Sequence, residues 1–386
     1  MSITKISEPI AGQSLQDDLY HVVGSDASGT TDMRYVFDVY VNGEQKIRVK
    51  KYPNPTTGLA YFDAGPIVRN SVSYQWFKCE EIIYPSGQPS VSGDIALTYL
   101  VEYGEDVSGV TTTNMASGQI TAYNYIPSLY GRRRQNLLVD KLNKFLTNRP
   151  LMAKSSLNEN FYVGLYTEDY EIEMTIKKYG WNNVLIDTEV LTEVVTNSGF
   201  KQLNIGSKAI NATLSTNFID ENVRYYTVEF LQKHEMYTVY MNCNGRYSPV
   251  LLHFLNNWGM FDTAKFGLAS RLNMDSQQKG FEKSDVAFTG SGVSYYDGKV
   301  YNESKINHSI IKNWSMRLTM DAPTDAEASW LHELITSAQI YAEIDGYFYP
   351  VTMKTTAYEY SQYVNNRLKP LEIEISLNQT RYSHLR

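Results

Sequence analysis

Alternation with a period of two is the dominant pattern of the chain. Its cleanest instance is Leu371–Leu377, where Leu371, Ile373, Ile375 and Leu377 alternate with Glu372, Glu374 and Ser376. Such spacing marks a strand with one buried face. Ile172, Met174 and Ile176 alternate with Glu171, Glu173 and Thr175 in the same way. Tyr35–Val41 runs into Asn42-Gly43, a dipeptide suited to a tight hairpin, and Ile47 and Val49 then share one face of Lys46–Lys50. Leu97–Tyr103 and Val223–Phe230 read as further strands, and Tyr52-Pro-Asn-Pro-Thr-Thr-Gly58 as a turn.

Helical spacing is rare. Residues 133–147 place Leu138, Leu142, Phe145 and Leu146 on one side, which predicts a helix ended by Asn148-Arg149-Pro150. Thr324-Asp325-Ala326-Glu327 is a capping box followed by an apolar stripe of Trp330, Leu331, Leu334 and Ile335. It predicts a helix over 325–337. Gly259 and Phe261-Asp262-Thr263 interrupt an otherwise extended apolar segment from Tyr237 to Phe266.

Two segments resemble each other. Gly58-Leu-Ala-Tyr-Phe-Asp-Ala-Gly65…Asn70 can be laid over Gly199-Phe-Lys-Gln-Leu-Asn-Ile-Gly206…Asn211, with Gly, Gly and Asn in register. A strand pair precedes each copy, and Tyr99-Leu-Val-Glu-Tyr103 and Tyr226-Thr-Val-Glu-Phe230 follow. We read this as one β-sandwich used twice. The expected fold is all-β dominated: tandem β-sandwich domains plus a C-terminal β-rich domain carrying one capped α-helix. The expected divisions are 1–126 (first sandwich), 127–152 (helical connector), 153–233 (second sandwich, a repeat of the first) and 234–386 (the C-terminal domain).

Length agrees, because 386 residues exceed what one compact core of ordinary size holds. Charge is 35 Lys+Arg against 42 Asp+Glu, a net of −7, which argues against a general polyanion binder. Cys79 and Cys243 are too few and too far apart for a disulfide framework or a Cys-based metal site, and are expected as small buried residues. The first residues hold no apolar leader, and no run is long and apolar enough for a membrane helix, so no membrane partner is expected.

Catalytic signatures are missing: no nucleophile elbow, phosphate loop, HExxH or dinucleotide fingerprint occurs. None of the six histidines pairs at metal-ligand spacing. His253, inside Val250–Leu255, reads as a structural histidine, and His332 as surface or interface. Glu171/Glu173 and Glu372/Glu374 each fall on one strand face, where solvation explains them better than acid–base work across a cleft. We therefore expect no catalytic residues, no metal and no cofactor.

Arg132, Arg133 and Arg134 form the one basic cluster, with Lys141, Lys144 and Arg149 following. Three readings stay open for it: a solvated linker, a subunit interface, or contact with nucleic acid confined to a lumen. The 31 tyrosines suit either stacking platforms for sugars or interface anchors, with interfaces preferred.

Several stretches resemble virion structural proteins of tailed phages that infect Bacteroidetes, the crAss-like group included. They are Arg34-Tyr-Val-Phe-Asp-Val-Tyr-Val-Asn-Gly43, Tyr52–Gly58 with Tyr61-Phe-Asp63, and Phe145-Leu-Thr-Asn-Arg-Pro150. Leu255-Asn-Asn-Trp-Gly-Met-Phe-Asp-Thr263 with Phe266, Trp330–Ser337, Pro350-Val351 and Leu371–Ile375 complete the set. The resemblance implies a tail, baseplate or neck subunit assembled as a ring. Its partners would be copies of itself and other tail or neck proteins, and its location the virion, assembled in the host cytoplasm. A carbohydrate-binding adhesion or receptor-binding protein is the alternative that the tyrosine content suggests.

Overall fold

The computed structural model describes residues 2–72, 74–75, 81–82, 92–93, 96–126, 141, 144–167, 171–194, 199–230, 235–242, 248–282, 287–289, 292–294, 305–321, 324–356, 370–378 and 381–382. The chain is all-β dominated and forms two compact units. One comprises Met1–Cys243 with Leu255–Thr263, the other Asn244–Phe254 with Ala264–Arg386.

The first unit opens with β1 (Ile3–Ser7), β2 (Tyr20–Ser25), β3 (Met33–Val41), β4 (Glu44–Lys51), β5 (Ala60–Asp63) and the short α1 (Gly65–Asn70). After the two-residue pair β6 (Tyr74–Gln75) and β7 (Ser92–Gly93) come β8 (Ala96–Val107), β9 (Val110–Ala116) and β10 (Ile120–Tyr123). Two sheets result, β1-β2-β5 and β10-β8-β3-β4 with β9 also on β8. One apolar cluster joins them, with Val23, Ala60 and Phe62 from the first and Phe37, Val39, Tyr99 and Val101 from the second. Phe37 and Phe62 stack across it at 5.2 Å. The β3–β4 turn takes positive φ at both Asn42 (51°) and Gly43 (84°), the conformation for which that dipeptide is selected.

The second half repeats this plan. It holds β11 (Lys144–Phe145), β12 (Met152–Ser155), β13 (Tyr162–Thr167), β14 (Glu171–Gly180), β15 (Leu185–Val194), β16 (Gly199–Asn204), α2 (Ser207–Leu214), β17 (Val223–Phe230) and β18 (Glu235–Met241). The sheets are β11-β13-β16 and β12-β18-β17-β14-β15, so β1-β2-β5 answers to β11-β13-β16 and β8-β3-β4 to β17-β14-β15.

The match extends to single atoms. Asp63 Oδ1 accepts the amides of Leu19 (2.8 Å) and Gly65 (2.9 Å). Asn204 Oδ1 accepts those of Phe161 (2.9 Å) and Gly206 (3.2 Å). The amides of Ala64 and Ile205 donate to the carbonyls of Leu19 and Phe161. A Cβ on Gly65 would stand 3.2 Å from the Asp17 carbonyl, and one on Gly206 2.3 Å from that of Glu159. One carboxylate or amide oxygen thus ties the strand β2 or β13 to the entry of the short helix in both copies.

Three expectations shift. The helix read over 133–147 does not reach its end: Lys144–Phe145 is strand, paired with Tyr166 and Leu165. Phe145 and Leu146 enter different apolar clusters, as successive residues of an extended chain do. Positions 133–140 and 142–143 lie outside the described residues. The division at 233/234 falls within a sheet, since β18 pairs with β17 along its length and in parallel with β12. Finally, Leu255–Thr263 belongs to the first unit: Asn256 Nδ2 donates to the Leu146 carbonyl, Gln202 bonds both backbone groups of Phe261, and Thr147 Oγ1 donates to Asp262. Gly164 leaves the space that Met260 fills.

The strands β19 (Val250–Leu255) and β20 (Phe261–Phe266) give the second unit their residues up to Phe254 and from Ala264; β21 (Arg271–Glu282), the hairpin β22 (Ala287–Thr289) and β23 (Gly292–Ser294), and β24 (Lys305–Met320) then precede α3 (Asp325–Thr336). After α3 come β25 (Ile340–Ile344), β26 (Tyr347–Met353), β27 (Leu371–Leu377) and β28 (Arg381–Tyr382). The sheet runs β20-β19-β25-β26-β27-β24-β21, with β28 on β24. Trp330, Leu331 and Leu334 of α3 cover Leu252, Ala342 and Ile375. The capping box is formed, with Glu327 N on Thr324 Oγ1 and Thr324 N on Glu327 Oε2.

Candidate functional site

Arg132, Arg133 and Arg134 lie outside the described residues, as do Cys79, Cys243, His234 and His384. The described titratable groups sit in structural roles. His253 is buried, its Nε2 3.1 Å from Glu343 Oε2 and its ring stacked on Phe348 at 5.2 Å. Burial lowers its pKa, and Glu343 partly opposes that. His21 is buried with Nδ1 2.7 Å from the Tyr103 hydroxyl, and burial, then Lys5, pushes it down to about 4. His332 is exposed on α3 and bonds the Ser329 carbonyl. Glu374 is held below the usual carboxylate range by a 3.1 Å bond from Lys354, then by Ser315. No group of His, Cys, Asp and Glu among the described residues is arranged to hold a metal ion.

The tyrosines divide unequally. Tyr35, Tyr99, Tyr103, Tyr125, Tyr162, Tyr226 and Tyr237 are core residues. Tyr20, Tyr52, Tyr61, Tyr240 and Tyr347 are exposed. Backbone carbonyls meet the hydroxyl inside, Gly58 for Tyr35 (2.6 Å) and Ile205 for Tyr226 (2.8 Å), so the ring can be buried whole. Tyr225 takes the opposite face of β17 to Tyr226 and stacks between Tyr179 (4.5 Å) and Tyr240 (5.4 Å).

Two surface features remain. The first is an open cleft lined by Lys51, Tyr52, Asn54, Leu59, Ala60 and Tyr61. Tyr52 and Tyr61 are 63% and 62% exposed. Arg34 sits 4.8 Å above the Tyr52 ring and Lys51 4.9 Å above that of Tyr61, whose edge meets Tyr20 at 6.0 Å. The Tyr52–Gly58 turn holds its shape because Asn54 Oδ1 accepts the amides of Thr56 and Thr57. Ring faces beside cationic and amide groups can stack on a sugar and bond its hydroxyls.

The second feature is a pair of unequal edges. β4 and β15 each end their sheet and hold the same place in the two repeats. β4 is Glu-Gln-Lys-Ile-Arg-Val-Lys-Lys, β15 Leu-Ile-Asp-Thr-Glu-Val-Leu-Thr-Glu-Val. Arg48 makes a two-point ion pair with Asp38 at 2.7 Å, and Lys50 pairs with Asp106 and Thr111 bonds the same carboxylate. On β15, Leu185, Ile186 and Val190 stand in solvent, with Trp181 and Val184 exposed at the hairpin tip.

No protein-family model matches the chain, and no curated protein matches its sequence.

Function must therefore be read from surface chemistry. Charge and Pro normally blunt an open strand edge. β4 follows that rule, while β15 sets exposed Leu185, Ile186 and Val190 beside the carboxylates of Asp187 and Glu189. In the sequence Leu185-Ile-Asp-Thr-Glu-Val190 reads as an ordinary strand; its special place shows only in the topology, where it is outermost among the described strands.

Proposed function

We propose that the chain is a non-enzymatic virion structural protein of a tailed phage, one segment of an oligomeric ring in the tail, baseplate or head–tail neck. The carrying observation is the apolar edge β15, ten residues of strand with Leu185, Ile186 and Val190 in solvent. An edge of that kind is a template for another chain. The duplicated sandwich and the resemblance to crAss-like virion proteins support the same reading, because rings arise from heterologous interfaces that close on rotation. Copies of itself and adjoining tail or neck proteins are the partners. Mass photometry of the purified full chain tests the reading, together with its detection in purified particles. An oligomer of fixed copy number, present in particles, is expected; a monomer absent from particles overturns it.

The exposed cleft supports a second reading, a carbohydrate-binding adhesion or receptor-binding protein. Tyr52 and Tyr61 would stack on the sugar and Asn54 and Lys51 would bond its hydroxyls. A glycan array with the wild-type chain and with Tyr52→Ala and Tyr61→Ala decides it. Binding lost in both variants supports it, and an empty array at millimolar ligand removes it.

A further inference from the structure

The equivalent edges of the two repeats differ in a complementary way, and we infer that β15 of one copy pairs with β4 of the next. This inference rests on the ring reading and assigns its interface. Both strands end a sheet and have no strand on their outer side among the described residues.

The charges presented are opposite. In the two ion pairs that β4 makes with other strands the exposed member is the cation: Arg48 is 48% exposed against 1% for Asp38, and Lys50 36% against 3% for Asp106, while Glu44, paired with Lys46 within β4, is the one exposed acid at its start. On β15 the exposed member is the anion, with Asp187 at 52% against 13% for Lys178. Glu189, opposite the apolar Ile176, adds a second exposed carboxylate.

Sidedness matches as well. Successive residues of a strand face opposite ways. On β4, Arg48 and Lys50 share one face and Ile47 and Val49 the other. On β15, Asp187 and Glu189 share one face and Val190 lies on the other. Glu189 lies on the core face of its sheet, opposite Ile176, and so do Ile47 and Val49 on theirs, opposite Val39 and Phe37. With the next copy turned over, one register sets acids beside bases on one side and Val190 beside Ile47 and Val49 on the other. Pairing β15 with a second β15 would instead bring carboxylates together, and β4 with β4 would bring cations together, both unfavourable across strands. The β15–β4 contact uses two different surfaces, so it propagates head to tail, and it gives the ring of the proposed function when the rotation from copy to copy divides a full turn.

The test uses the full chain, its D187K/E189K variant and its K46E/I47E variant, which spares the Arg48–Asp38 and Lys50–Asp106 pairs. Mass photometry of each follows circular dichroism to verify folding. The wild type is expected as a ring, and each variant as a monomer, with the assembled fraction down by at least about tenfold. Mixing the two variants is expected to give dimers and nothing larger, because only one intact edge of each kind is left to meet the other. Rings persisting in either variant alone overturn the pairing and leave the ring reading standing. A monomeric wild type overturns both. Should a variant fail to fold, amide exchange of the wild type decides: protection of 44–51 and 185–192 that rises with assembly supports the pairing, and unchanged protection overturns it.

Discussion

The two sandwiches of the first unit agree where chain geometry is fixed and diverge where solvent begins. Both bind a helix entry to a strand through one oxygen, Asp63 in the first and Asn204 in the second, and both place Gly two residues on, where a Cβ would be tight at Gly65 and has no room at Gly206. Their outer strands share position and pairing, yet β4 is stitched to its sheet by cations on buried carboxylates while β15 makes a longer pair through an exposed carboxylate and leaves Leu185, Ile186 and Val190 in solvent. The core of a duplicated fold is constrained by backbone groups that must be satisfied. Its edge is free to change, and here the change turns a protected edge into a receptive one.

The largest effect should come from Asn204→Ala. Asn204 is fully buried, and its loss removes the acceptor of two backbone amides and a donor to Asn160 Oδ1. A loss of about 3 kcal/mol is expected from denaturant unfolding. Asp63→Ala should cost less because Asp63 is half-buried, and Asp63→Asn, which supplies the second copy's oxygen, should be nearly neutral. Equal costs for the two alanine variants would contradict the argument from burial, and a large loss in Asp63→Asn would break the equivalence of the two oxygens.

Acid separates the copies next. His21 pairs in register with Phe62, and the corresponding position of β13, opposite Leu203, is Val163. The folded pKa of His21 is lowered to about 4. The unfolded chain therefore binds a proton first as pH falls. Stability is full above about pH 6.5 and declines down to about pH 4, by about 3 kcal/mol in total if His21 acts alone. His253 shifts in the same direction in the second unit. Amide exchange at pH 7 and pH 5 should show protection falling in β2 and β8 before β13 and β17, and His21→Gln should flatten the difference.

The edges give the smallest effects on stability. Arg48→Ala leaves the buried Asp38 carboxylate with only Gln45 among the bonds described, at a cost of about 1–2 kcal/mol. Asp187→Ala loses a 3.6 Å contact at an exposed carboxylate and should shift stability by less than about 0.5 kcal/mol. Thermal melts of the two variants check this. A large loss in Asp187→Ala would mean that β15 is as closely tied to its own sheet as β4 is.

The repeat was legible in the spacing of Gly58, Gly65, Gly199 and Gly206, but the pair that explains it, Asp63 and Asn204, differs in identity and was invisible to letter matching. The two short helices α1 and α2 carry too few residues for helical periodicity to register. α3 was legible because its capping box is a local signal, satisfied within four residues. The helix read over 133–147 failed at Phe145 and Leu146 because two apolar neighbours satisfy a helical face and two separate cores equally well. Which tyrosines are core could not be read from composition: a hydroxyl that meets the carbonyl of Gly58 or Ile205 lets Tyr35 or Tyr226 be buried whole. The edge asymmetry was written in the letters of β4 and β15 but had no meaning until topology showed that both strands are outermost.

The solution mass of the wild-type chain, followed over a hundredfold range of concentration, bears most directly on the claim that this protein works by contact with itself. The account predicts a closed species at one whole-number multiple of 44.1 kDa that persists on dilution. A single species at 44.1 kDa throughout the range would contradict it.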